Sequence, residues 1–157
     1  MTEAYERGKN ALARSLERRK ARADKRKVLG FPVRAKRKII VASLDTLFSF
    51  VVRLRDKDVA GGRCVFDCQR PIECCFHFVT RSKYSVRWDL KNAVGSCHPH
   101  NYEMEFNPHP FIQWYIKTRG IAAYEDLLRR SNQIAKFSNE KLIEIRENLR
   151  HGVERHG

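Results

Sequence analysis

The chain has 157 residues, 42% of them apolar, and a formal charge of +14 with a pI near 10. That length sets one domain with extensions, whose modest core a bound metal would help to hold. The charge selects a polyanionic partner, nucleic acid before an anionic membrane surface, because no strong apolar helix face accompanies the basic residues. No apolar run of about 18 residues is present and the N-terminus lacks an apolar h-region, so neither a membrane span nor a signal peptide is expected.

Residues 1–42 read as a basic arm, in which 14 Lys and Arg stand against 4 Asp and Glu. Ala4–Val28 holds helix formers and no proline, but Leu12, Leu16 and Val28 are too few for a buried stripe. Two readings are open: a solvated or disordered tail, or an arm that becomes helical along a phosphate backbone. Gly30 and Pro32 break it, and a second basic cluster follows at Arg34–Lys38.

Residues 43–157 form the expected folded domain. Its first helix covers 43–57, capped by Ser43 or Asp45. Leu44, Leu47, Phe48, Val51, Val52 and Leu54 fall at helical spacing, and Arg53, Arg55 and Lys57 suit the negative end of the dipole. The helix reads as core and is assigned no chemistry. Gly61 and Gly62 make a turn. Short strands and loops occupy 63–97: a strand at Cys74–Val79, a polar basic loop at Thr80–Arg87 and a second strand at Ala93–Ser96.

Beyond this the spacing predicts helices. A first turn begins near Pro99. Asn107 as cap and Pro108 at the first helical position open a helix through Lys117, with Phe111, Trp114 and Tyr115 inward and Gly120 ending it. Ile121–Ile134 follows, using Ile121, Tyr124, Leu127 and Leu128. Ser138 caps a last helix with Leu142, Ile145 and Leu149 inward, which Gly152 ends.

All five cysteines and three of the six histidines lie between residues 64 and 100. In the reducing cytosol expected here, clustered cysteines bind metal more often than they pair, and five is an odd number. The pattern is C-x3-C, a gap of 28 residues, then C-x2-H. Cys64 with Cys68, and Cys97 with His100, are two close pairs of the kind that complete a structural zinc tetrahedron. The spacing leaves substitutes open: His98 for His100, Cys74 or Cys75 for Cys68, or buried free thiols without a metal.

His77 sits between Phe76 and Phe78, where a lone histidine is ordinarily a satisfied core residue. Here it lies inside the span bracketed by the two ligand pairs, with Asn101 and Glu103 just beyond His100. A histidine that takes a proton from water, beside an amide and a carboxylate that position a divalent cation, is the equipment of phosphodiester hydrolysis. Arg81, Lys83 and Arg87, interleaved with Tyr84 and Trp88, read as phosphate contacts, with Trp88 buried. No base-reading motif is visible, so recognition by shape or branching is expected.

A cysteine pair, a strand ending in His-aromatic, a downstream Asn and a C-x2-(C/H)-Asn knuckle together resemble the HNH, or ββα-metal, endonucleases. More narrowly they resemble the phage NinG (Rap) recombination nucleases. The likeness runs from about Leu44 to Leu149, through LFSFVVRLRDKD, His77-Phe78, RWDLKNAVGSC, His100-Asn101 and FNPHPFIQWYIKTRG. The resemblance implies an α+β fold, a small zinc-stabilised ββα-metal core flanked by helices and preceded by the basic arm. It implies a metal-dependent endonuclease acting on branched recombination intermediates such as Holliday junctions, with structural Zn2+ and a catalytic Mg2+ or Mn2+. Symmetric incision would need two sites, hence a homodimer, and a phage-encoded chain would work in the host cytoplasm.

By residue, the resemblance implies that His77 is the general base, that Asn101 helps hold the catalytic metal, and that Asn92 braces the loop carrying the base. Glu103 occupies a place from which a helix-borne metal ligand projects, and Asn107 matches a family asparagine. Three departures stand out. The first cysteine pair has one extra residue, and His100 replaces a cysteine. No acidic residue immediately precedes His77, where Cys74, Cys75 and Phe76 stand; Glu73, four positions upstream, is the nearest. The alternatives are a non-catalytic zinc-containing DNA-binding accessory protein, and an RNA- or ribosome-associated zinc protein.

Overall fold

The computed structural model describes residues 33–154. Over these it is an α+β structure of five α-helices and one two-stranded antiparallel sheet: α1 (Val33–Val59), β1 (Cys74–His77), β2 (Ala93–Ser96), α2 (His98–Glu103), α3 (His109–Arg119), α4 (Ile121–Ser131) and α5 (Asn139–Glu154). None of the described helices is long and apolar enough to cross a membrane. The chain divides into two compact units, Met1–Ile39 and Ile40–Gly157. Of the first, only the opening turns of α1 are described; the expected arm helix at Ala4–Val28 lies outside the described residues.

α1 begins ten positions before the expected residue 43 and corrects that boundary. Nothing between residues 33 and 59 is Gly or Pro, and the Arg34–Lys38 cluster is made of good helix formers. Ser43 and Asp45 are therefore interior residues, not caps, and Asp45 is free to project sideways. The helix ends where Gly61 and Gly62 adopt φ values of 59° and 79°, with Gly62 N–H donating to Lys57 C=O at 2.8 Å.

The sheet is a thin partition between two cores. Its register pairs Cys74 with Ser96, Cys75 with Gly95, Phe76 with Val94 and His77 with Ala93. Strand alternation then sorts the faces. Cys75 and Ala93 join Leu44, Phe48 and Val52 of α1, together with Trp88, Leu142 and Leu149. Phe76 and Val94 join Phe78, Val86, Phe111, Tyr115 and Leu127. Each such fully buried aliphatic or aromatic side chain contributes about 1.5–3 kcal/mol.

Charged groups on α1 fasten it to the sheet. Asp56 is buried, takes both Nε and Nη2 of Arg55 at 2.6 and 2.8 Å, and accepts the Gly95 N–H at 2.6 Å. Arg55 also donates to the carbonyls of Leu90 and Ala93 at 3.0 and 2.9 Å. Gly95 is closely packed: an added Cβ would lie 3.0 Å from two Ile72 side-chain carbons and 3.2 Å from Asp56 Cβ, so these neighbours would have to shift.

Smaller expectations are corrected at the helix ends. Pro108, not Asn107, is the residue before α3. α4 stops at Ser131, so Ile134 is left 90% exposed and Ile121, at the first turn, 53% exposed; of the residues expected to face inward there, Leu127 is fully buried. α5 runs through Gly152 to Glu154, so that glycine does not end it. Ser138 does cap α5, its hydroxyl accepting the Lys141 N–H at 3.2 Å.

Candidate metal cluster and the adjoining His77 cleft

The loop from Cys64 to Pro71 is folded back on itself by the Cys64 N–H to Arg70 C=O bond at 2.8 Å and an Arg63–Pro71 bridge. Asp67 and Gln69 take positive φ, 55° and 62°, on either side of Cys68 and turn its side chain toward Cys64. The second pair comes from the junction of β2 and α2. Cys97 is the extended residue before the helix, and Pro99 in the first turn lets α2 start at once.

The ligand atoms of Cys64, Cys68, Cys97 and His100 lie within 4.8 Å of one another. Cys68 Sγ stands 3.6 Å from Cys97 Sγ, and Cys64 Sγ stands 3.3 Å from His100 Nδ1. Zinc bonds of about 2.3 Å to sulfur and about 2.0–2.1 Å to nitrogen span such separations. Cys64 and Cys97 are buried, and burial pushes the Cys64 thiol up to about 12. A divalent cation supplies the charge that keeps such a buried thiolate. The donor set therefore fits a structural ion such as zinc, with Cys68 and His100 taking the places that Cys74, Cys75 and His98 were also eligible for. Phe66, edge-on to His100 at 5.4 Å and to Phe111 at 4.9 Å, walls the cluster from the core.

His77 ends β1 on the α1 face, its ring centroid 5.6 Å from that of Phe48. It is only partly buried, and it opens on two depressions. One, of about 200 Å3, is lined by Asp45, Phe48, Ser49, Cys74, Cys75, His77, Arg81 and Asn101. The other, of about 420 Å3, shares Cys75, His77, Arg81 and Asn101 and adds Thr80, Met104 and Glu105 to its wall. Asn101 is thus brought to His77 by α2, while Glu103 lies on the exposed side of that helix.

The His77 Nε2 stands 3.3 Å from the Arg87 carbonyl, which only accepts, and Nδ1 stands 4.0 Å from Cys75 Sγ; the tautomer protonated at Nε2 satisfies the carbonyl and leaves Nδ1 its lone pair. Burial, reinforced by the Arg81 charge, lowers its pKa to about 4. The imidazole is therefore neutral at neutral pH.

Asn92 is fully buried and ties the loop together. Its Nδ2 donates to the carbonyls of Val79 and Val86 at 2.9 and 3.0 Å, and its Oδ1 accepts the Val79 N–H at 2.8 Å. These bonds close the segment that leaves His77 and returns to β2. Of the expected phosphate contacts, Arg81 and Lys83 are exposed. Arg87 is held instead by Asp45, Nε to Oδ1 at 2.9 Å and Nη2 to Oδ2 at 2.6 Å.

Sequence reasoning missed Asp45, which reaches the cleft from a helix given no chemistry. It also accepts from Trp88 Nε1 at 2.9 Å. Burial raises the Asp45 pKa, but the hydrogen bonds from Arg87 and Trp88 and the Arg87 and Arg81 charges outweigh it and leave it below its usual value. The one available signal was its spacing, three residues before Phe48 on the same helix face. No family model, curated protein or solved structure matches the chain.

Proposed function

We propose that the chain is an HNH-type, ββα-metal endonuclease that cleaves branched DNA with the help of a divalent cation. The observation that carries this reading is the convergence of His77 and Asn101 on one cleft, beside a four-donor metal cluster that includes the neighbour of Asn101. The succession β1, β2, α2 supports it, since strand, strand and short helix are the parts such a core requires.

In this reading His77 Nδ1 accepts a proton from the attacking water, because its Nε2 is already committed to Arg87 C=O. The proton is taken by a neutral ring, and a phosphate that masks Arg81 raises the ring's basicity by removing a neighbouring positive charge. Asn101 and Asp45 would hold the magnesium or manganese ion, whose charge when bound stabilises the departing 3′ oxygen. Asp45 thereby replaces the acidic residue absent before His77, and must give up part of its bond to Arg87 to do so. Arg87, so released, joins Arg81 and Lys83 at the phosphates. Asn92 keeps the loop in place. The branched-substrate preference and the homodimer rest on the NinG-like pattern and on the lack of base-reading side chains.

The Asp45–Arg87 pair favours a second reading, in which the carboxylate stays occupied and the protein binds DNA without cutting it. One assay separates them. End-labelled four-way junction, flap and linear duplex are incubated with the protein, with and without magnesium or manganese. Metal-dependent cutting of the junction, lost in His77→Ala with binding retained, is expected. A parent protein that binds the junction and never cuts it leaves the accessory reading standing.

A further inference from the structure

The closed cluster uses four of the seven clustered Cys and His ligands between residues 64 and 100, apart from His77, and leaves Cys74, Cys75 and His98. Cys75 packs into the α1 core. The other two meet: Cys74 Sγ and His98 Nδ1 are 3.1 Å apart. We propose that Cys74 and His98, with Glu73, form a second and open site for a thiophilic divalent cation such as zinc.

Three features build it. The register opposes Cys74 to Ser96, so the start of β1 lies against the end of β2, two residues before α2 begins. The Glu73 N–H donates to Ser96 C=O at 2.9 Å, and Glu73 Oε2 accepts the His98 N–H at 3.3 Å. A thiol and an imidazole nitrogen thus meet at one edge of the sheet, and the Glu73 carboxylate, held by the His98 N–H, must turn from that bond to join them. At zinc bond lengths of about 2.3 and 2.0–2.1 Å, a sulfur–nitrogen separation of 3.1 Å gives a bond angle of roughly 90°, and opening it to the tetrahedral value moves the pair apart by only about 0.5 Å. His98 is exposed and has room for that adjustment.

The ligand types decide the class of ion. Thiolate and imidazole select zinc-like cations over magnesium, which prefers oxygen. Cys74 and His98, joined by Glu73 once it turns from the His98 N–H, leave a position for water, whereas the Cys64–Cys68–Cys97–His100 set offers all four donors. His98 and His100 lie two residues apart on one helix and so project to different sides of it. The peptide from Cys97 to His98 joins the closed set to the open one. An ion held at the open edge is therefore exchangeable, next to one that is locked in place.

The test uses the full chain carrying its tightly held zinc, titrated with cobalt(II) and followed by visible absorption. We expect a second equivalent to bind, weaker than the first, with a sulfur-to-cobalt charge-transfer band. Cys74→Ser should abolish that band, and His98→Asn should weaken the second equivalent at least tenfold. Both variants should retain the first metal, measured by elemental analysis. The His98 substitution is on an exposed position, so it remains informative should Cys74→Ser fail to fold. A parent that takes up one ion per chain, or a second equivalent unchanged in His98→Asn, overturns the site. Neither outcome depends on whether the protein cuts DNA.

Discussion

His100 and Asn101 are neighbours on α2, yet they belong to sites of opposite character. His100 closes a cluster whose four donors come from two tight turns and converge within 4.8 Å. Asn101 faces a cleft assembled from α1, β1, the following loop and α2, in which the Asp45 carboxylate is already bound to Arg87 and Trp88. The first is a compact knot of four donors that could hold one structural ion. The second is a set of groups poised between internal bonds and an external ligand. Stability is expected to concentrate in the knot, and responsiveness to pH and charge in the cleft.

The largest effect should come from breaking the knot. Cys97→Ala is expected to lose both the metal and the cooperative thermal transition, because binding energy at such a site is folding energy of about 10–16 kcal/mol for comparable small modules. Retention of a parent-like melt by this variant would falsify the ligand assignment. Next is Asn92→Ala, which leaves three hydrogen-bonding groups of Val79 and Val86 without their partner in the interior. A cost of about 3 kcal/mol is expected in denaturant unfolding. A loss under 1 kcal/mol would mean that the loop beyond His77 is held by something else.

The cleft should reveal itself in acid. The folded pKa of His77 is about 4, below the ordinary 6.5, so the unfolded chain takes up a proton that the folded ring refuses. This contribution is fully present above pH 6.5 and is lost as the pH falls toward 4. Between pH 7 and pH 5 the parent should lose about 2 kcal/mol more than His77→Gln. Equal slopes for the two proteins would place the ring in solvent. The smallest effect is expected from Asp45→Asn, about 1 kcal/mol, since its ion pair with Arg87 is partly exposed. If Asp45 also serves the cation, this mild change in stability should accompany loss of metal-dependent cutting. Unchanged cutting would remove Asp45 from the site.

Much of this was written locally. The C-x3-C and C-x2-H spacings, the Ala93–Ser96 strand, the Ser138 cap and the stop at Gly120 are decided by residues a few positions apart, and their chemistry reads directly from the chain. The same locality misled at α1, where charge density suggested an arm although lysines and arginines are good helix formers. It misled again at Ile121 and Leu128, whose spacing fits an inward face that the neighbouring elements do not cover.

The sequence alone pointed to two close Cys/His pairs able to hold one structural ion, because each pair is presented by its own turn. Only the tertiary structure chose His100 over His98 and Cys68 over Cys74, because that choice depends on which side chains the β1–β2 register and the α2 turn aim at each other. It also brought Asp45 to His77 from 32 residues away. No spacing rule reports such a meeting, since it is fixed by how α1 packs across the sheet and not by any property of the intervening chain.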